Sequence, residues 1–181
     1  MSNYYLDIET TGLDPLKDKI ITIQYQELHR NTAESIGKLR ILKEWESSED
    51  KMIAQFLKES GMLNSYPFTF IPTGYNLTFE HNFLSERCTK YRFPHVDILS
   101  RPFIDLRACG VIMNKGEFKG SGLDKITGKP RDGSIIPVWY ANKEYEKVID
   151  YIESEAREFI RFTVWLYKEL PDCLARFRKE I

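Results

Sequence analysis

With 181 residues, 42% hydrophobic and 13% aromatic, the chain has apolar material for one well-filled core and is short for two, so a single domain over residues 1–181 is expected. Its 26 basic and 27 acidic residues leave a net charge of -1, which excludes a global positive field as the means of holding a nucleic acid or an anionic membrane; any polyanion must be gripped locally. The three cysteines, Cys88, Cys109 and Cys173, lie far apart with no CxxC pair, which excludes a disulfide framework and fits a reducing, cytoplasmic setting.

Residues 4–10 and 19–28 are β-rich runs joined by a loop containing Gly, Asp and Pro, and predict an N-terminal hairpin. A third strand is expected within residues 38–43. Ser47 or Ser48 is placed to cap a helix whose Met52, Ile53, Phe56 and Leu57 share one face, and Gly61 is placed to end it. The segment FTFIPTGYN reads as a strand leading to a turn at Gly74, and residues 78–91 as a helix. A short strand and then a helix are expected in HVDILSRPFIDLRACGVI, with Asp105, like Asp124 later, as a helix-start residue. Residues 114–140, rich in Gly, Pro and Lys, form the least regular part of the chain. Residues 143–170 are strongly helical, broken at most once, with Pro171 as a stop. No stretch has the make-up of a signal peptide, and no apolar run approaches the roughly 20 residues that span a bilayer. Strands first, then strand and helix in alternation, imply an α/β sandwich: a mixed central β-sheet flanked by α-helices.

The carboxylates depart from this ordinary pattern. In YLDIETTGLD, residues 5–14, Asp7 and Glu9 sit two apart on a strand and therefore point to the same face, roughly 6 to 7 Å from one another. On the 78–91 helix, Phe79, Phe83, Leu84, Cys88 and Tyr91 spread over one side with Glu80 near its middle, whereas Glu86 lies on the far face. On the last helix the apolar stripe is Val148, Ile152, Ala156, Phe159 and Leu166; Glu155 is the acid closest to it, and Tyr151 lies one turn earlier on the same edge. Four inward acids on separate elements need cations, at several kcal/mol each if left unpaired. No inward lysine or arginine set of matching number is evident, so a pair of hard divalent ions, Mg²⁺ or Mn²⁺, is the expected partner. Cys88 with His81 and His95 matches no usual zinc spacing, and packing is expected of Cys88.

These residues resemble a known family. LDIETTGLDP resembles closely the first motif of the DEDD superfamily of 3′-5′ exonucleases, which are built on the ribonuclease-H-like fold, with Asp7 and Glu9 matching its two acids. GYNLTFEHNFL resembles the second motif, Gly-x-Asn-x-x-Phe-Asp, with Glu80 in place of the aspartate; YIESE resembles the tyrosine form of the third, Tyr-x-x-x-Asp, with Tyr151 matching and Glu155 replacing the aspartate. A histidine-type third motif would need a histidine shortly before the last acid, and none occurs after His95. Tyr140 with Glu144 is a rival Tyr-x-x-x-Glu pair.

The resemblance implies a two-metal site on Asp7, Glu9, Glu80 and Glu155 that hydrolyses phosphodiester bonds from a 3′ end of single-stranded DNA or RNA, with Tyr151 orienting the attacking water. It also implies that the backbone after Glu9, through Thr10, Thr11 and Gly12, and the side chain of Leu13 contact the terminal nucleotide, and that Asn76 shapes the same pocket. Glutamate for aspartate at two places keeps the charge and moves each carboxylate by one methylene, about 1.5 Å, which loosens metal geometry. That feature keeps a second reading open, a nucleic-acid-binding module that retains the fold with weakened or lost catalysis. Lys115, Lys119, Lys125, Lys129 and Arg131 make the irregular stretch locally basic, either as a solvated loop or as an approach for phosphates.

Overall fold

The structure, a computed structural model, describes residues 2–128 and 133–180. Its centre is a five-stranded sheet in the order β3-β2-β1-β4-β5. The strands are β1 (Asn3–Thr10), β2 (Ile20–Leu28), β3 (Ser35–Lys43), β4 (Ile71–Gly74) and β5 (Ile104–Asp105). The first three are an antiparallel meander, which begins as the expected hairpin; β4 joins β1 in parallel and β5 joins β4 in parallel. The third strand starts at Ser35, earlier than residues 38–43, because Ser35 and Ile36 continue the ladder with Leu28 and Glu27 across an irregularity in β2.

Alternation along β1 divides the chain's apolar residues between two cores. Leu6 and Ile8 face a core with Met52, Ile53 and Phe56 of α1 (Glu49–Ser60) and Phe83, Leu84 and Cys88 of α2 (Thr78–Lys90). Tyr5 faces the opposite core with Ala156, Phe159, Phe162 and Leu166 of α6 (Tyr145–Glu180). Helices thus cover both faces of a mixed sheet, the expected α/β sandwich. Cys88 is fully buried in the first core, in keeping with a packing role.

Helix ends follow partly from local sequence. Gly61 closes α1 in the left-handed conformation, with φ of 63°. Ser48 occupies the N-cap position of α1, but its hydroxyl donates to Asp50 instead of accepting a backbone N–H. Two expectations are corrected. Residues 114–140 are less irregular than their composition suggests, since α4 (Leu123–Thr127) lies within them, α5 (Ile136–Ala141) begins within them, and the two bury Leu123 and Ile136. Pro171 does not stop the last helix, which runs through it to Glu180. Proline removes one N–H and crowds the preceding turn; every residue from 170 to 180 is exposed, so there is room for the helix to accommodate the ring.

One buried ion pair ties α1, α2 and β2 together. Glu49, the first residue of α1, receives the backbone N–H of Ile20 (2.8 Å), a bidentate pair of bonds from Arg87 (2.7 and 2.5 Å) and the hydroxyl of Tyr91 (2.6 Å). Arg87 is 2% exposed and is the sole fully buried lysine or arginine among the described residues. Losing one member of such a pair strands a buried charge. Glu49→Gln is therefore expected to destabilise the fold by about 3 to 5 kcal/mol in urea denaturation. Arg87→Met added to it should cost far less than a second independent loss, which a double-mutant cycle will measure.

Candidate active site

The antiparallel register of the hairpin builds the floor of the site. Asp7 stands opposite Gln24 and Glu9 opposite Thr22, and the register shifts immediately after Glu9. Asp7 Oδ2 accepts from the Tyr5 hydroxyl (3.0 Å) and from Gln24 Nε2 (2.9 Å). Gln24 is oriented in turn by Thr22, whose hydroxyl donates to Gln24 Oε1 (3.0 Å). Thr22 and Gln24 are both fully buried. A polar strip on β2, opposite the two acids, thus fixes the first of them.

Parallel pairing brings in the second helix. β4 ends at Gly74, where a Cβ would lie 3.0 Å from the Leu6 carbonyl and 2.5 Å from Leu77, so only glycine permits this approach. The next turn places Asn76 at φ of 73°, a conformation asparagine tolerates better than most residues. Asp105 at the end of β5 holds that turn: its carboxylate accepts from the backbone N–H groups of Asn76 and Leu77, each at 2.9 Å, and also from that of Arg107 (2.9 Å) at the start of α3 (Arg107–Met113). Asp105 is the helix-start residue expected for α3, and it performs the same service for α2 from a neighbouring strand. Asp124 likewise lies in the first turn of α4. Glu80, in the first turn of α2, is thereby set beside Asp7.

The last helix supplies the remaining groups. Oxygens of Asp7, Glu9 and Glu155 lie within 4.8 Å of one another, the sole such acidic grouping among the described residues. Glu80 is 3% exposed, and its Oε2 is buried with no hydrogen-bond partner among the described residues. All four carboxylates and Tyr151 line one cavity with Thr10, Gly12, Leu13, Tyr75, Asn76, Phe79, Gly133, Ser134 and Pro137.

Electrostatics record the crowding. Burial, then the charge of Glu155, raises the Asp7 carboxyl to about 6, against the opposing hydrogen bonds from Gln24, Tyr5 and the Ile8 backbone. Burial, then Asp7, raises Glu80 well above the ordinary carboxylate range. Tyr151 is pushed up by burial and by Glu155 and Glu9, so its phenol keeps its proton.

Of the expected site residues, Thr11 alone does not line the cavity. Its hydroxyl donates to Asp18 (3.3 Å) and accepts from the Lys19 N–H (3.1 Å), stapling the loop after β1. At Gly12 a Cβ would lie 2.4 Å from the Asp18 carboxylate, so a larger residue would have to displace that side chain. Leu13, held out by this loop, is 84% exposed at the cavity's edge. The rival tyrosine, Tyr140, lies outside the cavity; its hydroxyl donates to Glu44 (2.5 Å) and its ring sits beneath Lys19. Lys115, Lys119 and Lys125 do not line the cavity, and Lys129 and Arg131 lie outside the described residues.

Sequence reading missed Tyr75, Gly133, Ser134 and Pro137. Tyr75 packs on Gly110, where a Cβ would lie 2.0 Å from its hydroxyl, and donates to the Ser121 carbonyl. The polar pair Thr22 and Gln24, among Ile20, Ile21, Ile23 and Tyr25 in the first six residues of the strand, was an available sign that β2 supports a polar site.

A ribonuclease-H-like sheet with acids gathered at the end of its first strand defines the class of protein. The RNase_H superfamily model matches residues 4–167, and the chain belongs to that superfamily. No curated protein matches it significantly in sequence. Among solved structures, it is similar to E. coli exonuclease I in a zinc-bound complex with single-stranded DNA, at 13% identity and a TM-score of 0.58, covering 98% of this chain and 43% of that one. It is also similar to E. coli exonuclease I with a dT13 oligonucleotide (13%, TM-score 0.57, 97% and 43%) and to a product-bound exonuclease I (14%, TM-score 0.51, 89% and 45%). The likeness is one of fold, and the chain spans less than half the length of these structures.

Because the folded form holds the Asp7 proton more tightly than the unfolded chain, metal-free stability should fall as pH rises between about 4 and 6. Asp7→Asn removes the charge and can keep the bonds from Tyr5 and Gln24. Thermal melts of the metal-free proteins should therefore show the variant gaining on wild type through that window, by on the order of 1 to 3 kcal/mol at neutral pH. The same variant should lose the stabilisation that Mn²⁺ gives wild type. A wild-type advantage constant across the pH series would contradict the crowding of charge.

Proposed function

We propose that the protein is a metal-dependent 3′-5′ exonuclease acting on single-stranded DNA or RNA, and that residues 1–181 act as one exonuclease-like domain. The observation that carries this reading is the meeting of Asp7, Glu9 and Glu155 oxygens within 4.8 Å, with the orphaned carboxylate oxygen of Glu80 buried beside them. Such a donor set is all carboxylate oxygen, the ligand type that Mg²⁺ and Mn²⁺ prefer. Asp7, Glu9, Glu80 and Glu155 would hold the ions, which when bound supply Lewis acidity for a water and neutralise charge on the scissile phosphate.

The chain's own residues do the rest. Tyr151, whose phenol is pushed up by burial and by Glu155 and Glu9, would orient a water by hydrogen bonding. Leu13 offers an exposed apolar face at the cavity's edge for a terminal base, and the loop of Thr10 and Gly12 lines its wall. Asn76, fixed by Asp105, holds the opposite wall. The second reading, a binding module with weakened chemistry, is favoured by the glutamates at 80 and 155, whose longer side chains fit an octahedral ion less readily.

A 5′-labelled single strand should shorten in a ladder from its 3′ end, faster with Mn²⁺ than with Mg²⁺, because Mg²⁺ demands near-ideal octahedral geometry. Glu80→Asp with Glu155→Asp should raise the Mg²⁺-supported rate. Tyr151→Phe should lower turnover by about 10² with metal binding nearly unchanged by calorimetry, whereas Tyr140→Phe should stay active. Tight binding of the strand with no cleavage in either metal would move the reading to the binding module.

A further inference from the structure

The core-facing stripe of α6 does not end where the core ends. Phe159, Phe162 and Leu166 are buried, and the same stripe continues at spacings of three and four through Leu170, Cys173, Leu174 and Phe177. Leu170, Leu174 and Phe177 are 49%, 49% and 58% exposed. Proline inside a helix costs about 3 kcal/mol, and a free helix of so few residues is marginal in water. Residues 170–180 therefore hold helical form over Pro171 with no packing of their own.

We infer that this stripe is a dimerisation surface, on which the tail of a second copy lies antiparallel. The charges select that occupant. With Leu170 and Phe177 at one seam position and Leu166 and Cys173 at the other, Glu169 and Arg176 both fall on the same flank. In an antiparallel pair, Glu169 of each copy faces Arg176 of the other, so the contact is made twice. A parallel pair would set Arg176 level with Arg176. Neither residue forms an ion pair among the described residues; Arg176 reaches only the Cys173 sulfur, at 3.1 Å.

The same register brings Phe177 of the second copy level with Leu166. There it meets the cavity lined by Met113, Ile126, Phe162 and Trp165, the last 47% exposed, with Thr127 and Arg161 completing the lining. Phe177 is 26 positions along the helix from Tyr151, about 39 Å, so the paired tails leave the acidic cavity open. The inference stands independently of the proposed activity.

Sedimentation of the full chain over a concentration series tests it. Wild type should sediment as a dimer at the upper concentrations. Leu170→Glu and Phe177→Glu should sediment as monomers with nearly unchanged melting temperature, since both side chains are exposed in the single chain. Glu169→Arg and Arg176→Glu should each weaken the dimer about fivefold to tenfold at low salt, and the two together should restore it. A wild type monomeric throughout, a dimer indifferent to Leu170→Glu, or a double reversal no tighter than the single ones would overturn the proposal and give the stripe to another partner.

Discussion

Four carboxylates held within one small volume are the constraint around which this structure is arranged. Like charges at a few ångströms in a partly desolvated site repel by several kcal/mol, so nothing in the acids themselves keeps them together. The holding force comes from the two apolar cores. One presses α1 and α2 against the sheet and carries Glu80; the other presses α6 against the opposite face and carries Glu155. β1 lies between the two cores and contributes to both, which is why its alternation can send Leu6 and Ile8 one way and Tyr5, Asp7 and Glu9 the other.

Comparison of the chain's inward acids separates Glu49 and Asp105, which the protein satisfies, from Glu80. Glu49 has a cation, a phenol and a backbone N–H. Asp105 has three backbone N–H groups from two helix starts. Both are satisfied by protein alone, and both fasten elements together. Glu80 is as buried as Glu49, yet one of its oxygens lacks a partner among the described residues, and the charge of Asp7 acts on it. A chain able to satisfy Glu49 so completely has the means to satisfy Glu80 with a second arginine. The missing partner is consistent with a cation bound from solution.

Much of this was legible in the sequence because it rests on periodicity. Period two along YLDIE fixes the shared face of Asp7 and Glu9, and period 3.6 puts Glu80 and Glu155 on the buried sides of their helices. What escaped depends on contacts between elements distant in the chain. Arg87 sits four positions after Phe83 on the buried side of α2, a place that looks apolar until Glu49 is known to lie opposite. Asp105 looks like a cap for its own helix, and its bonds to Asn76 and Leu77 depend on β5 lying beside β4. Thr11 carries the same motif as its neighbours and turns away because Asp18 returns to meet it. Composition conceals the order of residues 114–140, where Leu123 and Ile136 drive short helices into the cores, and Pro171 is no stop in a helix whose last turns are exposed.

The glutamates at 80 and 155 are best understood through the backbone that carries them. The start of α2 is pinned by Asp105 and by the contact of Gly74 with the Leu6 carbonyl, neither of which yields easily. α6 is fixed over several turns by Val148, Ile152, Ala156 and Phe159. Helices held this firmly do not slide to suit a side chain, so the distance from each backbone to the shared volume is set by packing. A glutamate spans one methylene more of that distance than an aspartate would. On this view the extra methylene is not taken up by the backbone and shows in the position of each carboxylate, which is why the length of these two side chains bears on the fit of an ion.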